Sequence, residues 1–229
     1  MPAGEYRVRF RYAKSGRARF LSHLEVMRAL ERSARRARLP YAVTRGFNPR
    51  MKASFGPALP VGTAGTREYF DVWLTEPLPA EVARARMAAY VPVGLCVSGA
   101  RYVAEREPSL SAAAAIARYE LEIGGEGLTA DLIRTALETV IAGGRLELER
   151  KGKTKVFDLA RSLPEKPRVG SAGPPFTVQV ATRLGAEGSL RPESLLTEAL
   201  SRIPGGGVVQ SVTRTDIFME DGGVLLRPL

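Results

Sequence analysis

The chain opens on an alternation. Tyr6-Arg7-Val8-Arg9-Phe10-Arg11-Tyr12 puts apolar and basic side chains on opposite sides of an extended segment, the period-two signal of a half-buried strand. The three arginines are expected to share the open face. A helical period follows. Leu24, Met27, Leu30, Ala34 and Ala37 recur at helix spacing and are expected to face the core, while Arg28, Arg32, Arg35 and Arg36 fall on another face. Ser22 and Glu25 form a capping box at the start, with Leu21 and Val26 at the positions of a hydrophobic staple. Pro40 is expected to end the helix, because the residue before proline disfavours the helical region. Strands are expected at 41–44 and 69–74, with 53–55 continuing the pairing. A helix from Pro79 to about Tyr90 and a strand at 95–103 complete the order β-α-β-β-α-β.

Residues 105–109 are charged, include Pro108 and suit a boundary. The run 111–117 fits either a short helix or the approach to a strand. The order is then expected to repeat: a strand at 119–123, a helix capped by Thr129 and running to about Ala142, and strands at 146–150 and 154–158 around a Lys151-Gly152-Lys153 turn. A mobile Pro/Gly-rich connection at 162–175 leads to a strand at 176–181. A helix at 192–200 carries Pro192 in its tolerant first turn, before a strand at 208–215 and a short terminal hairpin. The expected fold is α+β, with two tandem ferredoxin-like (βαββαβ) subdomains. These are a basic N-terminal subdomain at 1–104, a linker at 105–117 and a C-terminal subdomain at 118–229. Each half is expected to form its own sheet.

Charge changes the picture. The chain carries a formal +10, and residues 1–52 hold 14 basic against 3 acidic residues, so the rest is close to neutral. A field concentrated in this way attracts polyanions, nucleic acid first. Glu25 and Glu31 can pair with only a minority of the helix arginines. The stripe is therefore read as a phosphate-tracking face in preference to a solvated one. The candidate nucleic-acid-binding residues are Arg17, Arg19, Arg28, Arg32, Arg35, Phe47, Arg50 and Lys52, with Arg19, Arg50 and Lys52 expected together at one end of the stripe. In the loop 46–52, Phe47 suits base stacking, and Arg50 and Lys52 suit phosphates. The competing reading buries Phe47 as an anchor, with Asn48-Pro49 making a turn.

Other chemistry is sparse. Cys96 is the single cysteine, which excludes a disulfide framework and a self-contained iron–sulfur cluster and suits a reducing cytoplasm. No apolar run is long enough to span a membrane, and the N-terminus lacks the apolar core of a signal peptide. His23 is the only histidine, so neither a metal site nor a cofactor is expected. His23 is a candidate general base, or a local hydrogen-bonding residue that holds the helix start. The second reading is preferred, since no acid partner is visible. Gly152-Lys153-Thr154 imitates the end of a P-loop, but Glu147 stands where that motif needs glycine. Lys151, Lys153 and Lys155 are read as capping a hairpin. Asp71 and Asp158 are assigned no chemistry, and Trp73 is placed in the core.

One resemblance emerges from these residues. The Arg-rich first strand, then Gly16-x-x-Arg19-Phe20-Leu21-Ser22-His23-Leu24 and Arg28–Arg32, resembles the radical-SAM-linked protein family. Gly46 to Lys52 and Ser54 to Gly62 fit the same pattern. That family is a bacterial domain of undefined function, fused to or encoded with radical-SAM proteins. Its usual His-Pro is replaced here by Arg50-Met51, so a second histidine is absent. The resemblance implies a radical-SAM partner and assigns no activity. The leading expectation is an RNA-binding accessory protein in the cytoplasm. One alternative is a metal-independent endoribonuclease, similar to CRISPR-repeat nucleases with paired ferredoxin-like domains. There His23 would be the base, and Arg19 or Lys52 would steady the developing charge. The other alternative is a protein–protein adaptor.

Overall fold

A computed structural model describes residues 5–150, 152–170, 173–185 and 189–229. The chain is α+β and packs as two compact units, one running to Ala114 and taking in Asp216–Leu229, the other Ala115–Thr215. Nothing in the sequence marks the return of the last residues to the first unit.

In the first unit, β1 (Tyr6–Lys14) is followed by a 3-10 turn (Gly16–Phe20), α1 (His23–Arg36), β2 (Ala53–Phe55), β3 (Ala64–Leu74), α2 (Ala80–Ala88), β4 (Leu95–Tyr102) and α3 (Leu110–Ala113). β1 lies between β4 and β3, and β2 also pairs with β3, each pairing antiparallel. Val8, Phe10 and Tyr12 enter the core from β1, meeting Phe70 and Val72 from β3 and Val26, Ala29, Leu30 and Ala34 from α1. The second unit begins with β5 (Ala114–Gly124). It continues through α4 (Ala130–Ala142), β6 (Arg145–Arg150), β7 (Lys153–Asp158), α5 (Leu159–Ser162), β8 (Arg168–Val169), β9 (Phe176–Arg183) and α6 (Pro192–Leu200). β10 (Val208–Asp221) passes from the second unit into the first and pairs there with β11 (Val224–Leu226). The order in the second unit is β10-β5-β9-β8. Its core joins Leu121, Ile123, Val178 and Val180 to Ile133, Leu137, Leu195 and Leu196.

Several expectations need correction. The strands outside the β6–β7 hairpin belong to a nine-stranded sheet, so the halves do not each own a sheet; β10 serves both units. Among the described residues β6 and β7 pair only with each other. The second unit instead takes its edge strand from the supposed Pro/Gly-rich connection: Arg168 and Val169 pair with Gln179 and Val178, and Val169 packs on the core. Residues 41–44 are not a strand. Tyr41 and Val43 make isolated bridges to Leu74 and Met51, and the ladder position is held by β2. The run 111–117 divides between the end of α3 and the start of β5. Lys151 of the hairpin turn lies outside the described residues.

α1 departs from expectation in part of its buried face and in its end. Leu30, Ala34 and Ala37 are buried as expected, together with Val26, Ala29 and Ser33, whereas Leu24 is 51% exposed and Met27 half-buried. The helix stops before Pro40 can act. Arg38 takes φ 50°, its N–H donates to Arg35 O, and Leu39 N–H donates to Ala34 O, both at 3.1 Å. That is a Schellman ending with arginine where glycine is usual. A non-glycine residue there costs about 1–2 kcal/mol, and glycine costs about 0.5–1 kcal/mol in chain entropy. Arg38→Gly is therefore expected to leave stability unchanged or raise it by up to about 1 kcal/mol, read as the urea midpoint. A clear loss would mean that the arginine side chain holds the turn.

Candidate nucleic-acid interface

The site is built on α1, and backbone contacts fix where that helix starts. The 3-10 turn is pinned from three sides. Ser15 N–H donates to Gly94 O at 2.8 Å, Gly62 N–H to Arg19 O at 2.9 Å, and the buried Lys14 Nζ to Leu21 O at 3.0 Å. The capping box is present. Glu25 N–H donates to Ser22 Oγ at 3.4 Å, and Ser22 N–H and Oγ donate to Glu25 Oε2 at 2.8 and 2.7 Å. The side-chain and backbone hydrogen bonds from Ser22, helped by the charge of Arg28, hold the Glu25 carboxyl below its ordinary range. Because that pKa is depressed in the folded chain, the cap's contribution is complete above the unfolded carboxylate range and fades as pH falls through the folded value.

Arg28, Arg32 and Arg35 stand at i, i+4 and i+7, on the side of α1 opposite its buried residues, and all three are exposed. Among the described residues none of them forms an ion pair. The buried Ser33 hydroxyl donates to Ala29 O at 2.9 Å and lies 3.1 Å from Tyr90 O, which fixes the helix against rotation.

The other candidates divide between the two ends of α1. Arg17 and Arg19 sit in the turn before it, and the Arg19 guanidinium lies 4.8 Å from the Phe20 ring centroid. Arg50 and Lys52 lie beyond the opposite end. Tyr41 bridges Leu74, Ala42 N–H donates to Trp73 O, and Trp73 N–H donates to Lys52 O. On β1, Tyr6 faces Leu74, while Lys14 faces Gly65. Those ends lie roughly 26 Å apart at the usual strand rise. Arg19 therefore does not join Arg50 and Lys52 at one end, because α1 runs back along β1 between them.

The loop after α1 is closed by Thr44 N–H donating to Arg50 O at 2.8 Å and Arg50 N–H donating to Thr44 Oγ1 at 3.1 Å. Met51 is buried and anchors it, whereas Phe47 at its tip is 106% exposed. The buried-anchor reading of Phe47 is thus overturned. Lys52 pairs with Glu5 and lies 5.3 Å from the Trp73 ring. Trp73 is half-buried beneath it, with Arg7 Cζ at 5.1 Å, and so is not a core residue.

The first strand carries the largest correction. Arg7 and Arg9 are buried and do not face solvent. Arg7 Nε and Nη2 donate to Asp71 Oδ2 at 2.9 and 2.6 Å. Arg9 Nε donates to Oδ1 at 2.8 Å and Arg9 Nη2 to Oδ2 at 3.1 Å. Arg9 Nη1 also meets Glu107 Oε1 at 2.5 Å. Burial works against the charge on Arg9, but the hydrogen bonds and charges of Asp71 and Glu107 outweigh it and raise its pKa. Asp71, assigned no chemistry from sequence, is the centre of a buried ion cluster. These arginines therefore add little to the external field. Asp158 has a plain role, capping α5 by accepting from Arg161 N–H at 3.1 Å.

His23 is half-buried, and its ring stands edge-on to Phe55, 6.1 Å between centroids. His23→Ala is expected to cost about 0.5–1.5 kcal/mol of stability, the scale of an aromatic edge contact. RNA affinity should stay within a few-fold, the scale of a modest hydrogen bond. Loss of a measurable RNA-cleavage activity from a folded variant would instead promote the nuclease alternative. A polar cavity of about 270 Å³ in the second unit is lined by Arg118, Lys166 and Arg168 together with Glu120, Glu165 and Gln179. Arg118 pairs with Glu165 at 3.0 Å there, so its cations are partly offset by carboxylates. Among the described residues no group of three or more His, Cys, Asp or Glu could hold a metal ion, and no helix is long and apolar enough to cross a membrane.

Among curated proteins none matches the chain. Solved structures do. A chain of a Cbf5-Nop10-Gar1 complex is similar with a TM-score of 0.52 at 12% identity, over 93% of this chain and 50% of its own length. A chain of the archaeal box H/ACA sRNP Nop10-Cbf5 complex matches at 0.48 and 15% identity, over 93% and 49%. A chain of an H/ACA RNP bound to a substrate RNA containing 2'-deoxyuridine matches at 0.49 and 14% identity, again over 93% and 49%. The chain thus spans about half the length of these relatives, and at such identities the likeness concerns the fold alone. The sequence itself is more decisive: residues 7–192 match the family described as uncharacterized protein conserved in bacteria (DUF2344), and the chain belongs to that family.

Proposed function

We propose that the protein binds RNA along the outer face of α1 as an accessory protein. The observation that carries this reading is the line of Arg28, Arg32 and Arg35, exposed and without ion pairs among the described residues, on a helix whose opposite side is fixed in the core. Arg17 and Arg19 extend the line at one end, and Phe47 and Arg50 extend it at the other. Among the described residues folding gives these three arginines no ion pair, while a polyanion supplies one and releases counterions on binding. The resemblance to a chain from a Cbf5-Nop10-Gar1 complex adds only fold. The finer topology belongs to the same proposal: each unit runs in the order last, first, third, second strand (β4-β1-β3-β2 and β10-β5-β9-β8), which supports a ferredoxin-like reading of both.

A radical-SAM partner rests on the motif resemblance alone and has no support from the comparisons; co-purification with the native protein tests it. A cytoplasmic setting is likewise proposed, on the single free cysteine, Cys96. The test of RNA binding is a salt series with the full chain. Affinity is expected to fall steeply and linearly in log–log form as salt rises. Absence of binding at low salt would favour an acidic protein surface as the partner of the stripe.

A further inference from the structure

We propose that this face takes single-stranded RNA in preference to duplex, stacking an unpaired base on an apolar patch made by Phe20, Leu24 and Val61. The inference rests on the reading of α1 as an RNA track and names the form of RNA that it fits. Phe20 is 57% exposed, Leu24 51% and Val61 62%. Local structure puts them together at the start of the arginine line. Phe20 ends the 3-10 turn, and Leu24 stands four residues ahead of Arg28 on the same edge of the helix. The Gly62 N–H that donates to Arg19 O brings Val61 beside that turn. The Arg19 guanidinium lies against the Phe20 ring. Single exposed apolar residues are ordinary, but an exposed ring against a cation at the head of a cationic stripe, with two further exposed apolar residues on the neighbouring backbone, gives a surface with two chemistries.

Charge complementarity selects the occupant. The arginines call for a polyanion, and the phenyl, leucine and valine call for a flat apolar face on that same molecule. A duplex keeps its base faces stacked on each other and presents sugars and phosphates, whereas a single strand offers a base face at every nucleotide. Phe47 gives a second exposed ring beyond the far end of α1. A strand that follows Arg28, Arg32 and Arg35 over the roughly 21 Å length of the helix leads from the first ring towards the second.

The experiment measures anisotropy of a labelled oligouridylate and of a fully paired RNA duplex of equal length with the full chain. Wild type is expected to prefer the single strand. Phe20→Ala should lower single-strand affinity roughly five- to hundred-fold, the range seen for loss of one stacked base. The salt slope and the duplex affinity should stay as they were. Leu24→Ala, an exposed change to the best helix former, supplies the same readout with the fold protected, and Phe20→Tyr should keep affinity. Equal losses for both probes, or unchanged single-strand affinity in both alanine variants while wild type still binds RNA with a steep salt slope, overturns the single-strand inference alone. Binding of neither probe by wild type at low salt overturns the RNA reading with it.

Discussion

Asp71→Ala should unfold the first unit under conditions where the wild type is stable, costing about 3–5 kcal/mol. The Asp71 carboxylate is fully buried and accepts four hydrogen bonds, two from Arg7 and two from Arg9. Removing it leaves two guanidiniums in the interior with reduced company. Arg7 keeps Glu107 O and Pro108 O, and Arg9 keeps the Glu107 carboxylate and a long contact to Pro228 O. A domain typically has about 5–15 kcal/mol of stability in total, so the loss is a large share. The measurement is urea unfolding followed through Trp73, the single tryptophan, whose ring lies under Arg7. A midpoint shift worth less than about 1 kcal/mol, the scale of an exposed pair, would show that water takes over the role of Asp71. Replacing Arg7, Arg9 and Asp71 together by apolar residues of similar volume should recover much of the loss, because a buried ion cluster is worth little beside a well-packed apolar substitute.

That cluster also shows what one sequence can and cannot disclose. Ser22 and Glu25 stand three apart, so the capping box was legible from spacing alone. The strand of Tyr6 to Tyr12 was legible from alternation, but alternation does not say what covers the polar side. Asp71 lies 62 and 64 residues from its arginines, and no local pattern announces that pairing. The phase of α1 was legible in part. Leu30, Ala34 and Ala37 are buried as the spacing indicated, but Leu24 is exposed and Met27 half-buried, and the small Ala29 and Ser33 are buried with Val26 in their stead. Phe20 and Val61 were missed because their exposure depends on how the turn is pinned; the Arg19-Phe20 pair just ahead of the cap was the only signal. β8 was hidden by the Pro/Gly content around it and by its length, since two residues are too few to show an alternation. The outward arginine stripe was recovered, because its spacing of four and three follows from helix geometry.

Replacing Arg28, Arg32 and Arg35 together by alanine should flatten the salt dependence of RNA binding by roughly 2 in slope. Each phosphate neutralised on a single strand contributes about −0.7 to the slope of log K against log salt. Removing all three guanidiniums therefore takes away about 2, and affinity at low salt falls far more than at high salt. The fold gives no competing explanation. The three side chains are exposed and make no ion pair among the described residues, and alanine is the best helix former, so the unfolding midpoint should hold or rise. The control reverses charge at Lys153 and Lys155, exposed in the β6–β7 hairpin of the near-neutral remainder of the chain; there the slope should change less. The residual slope in the arginine variant reports Arg17, Arg19 and Arg50, which lie at both ends of α1. If it survives only in part when Arg19 and Arg50 are also replaced, the strand spans the full helix. An arginine variant whose slope matches the wild type would return α1 to a solvated surface or a protein-docking face, even if RNA still binds elsewhere.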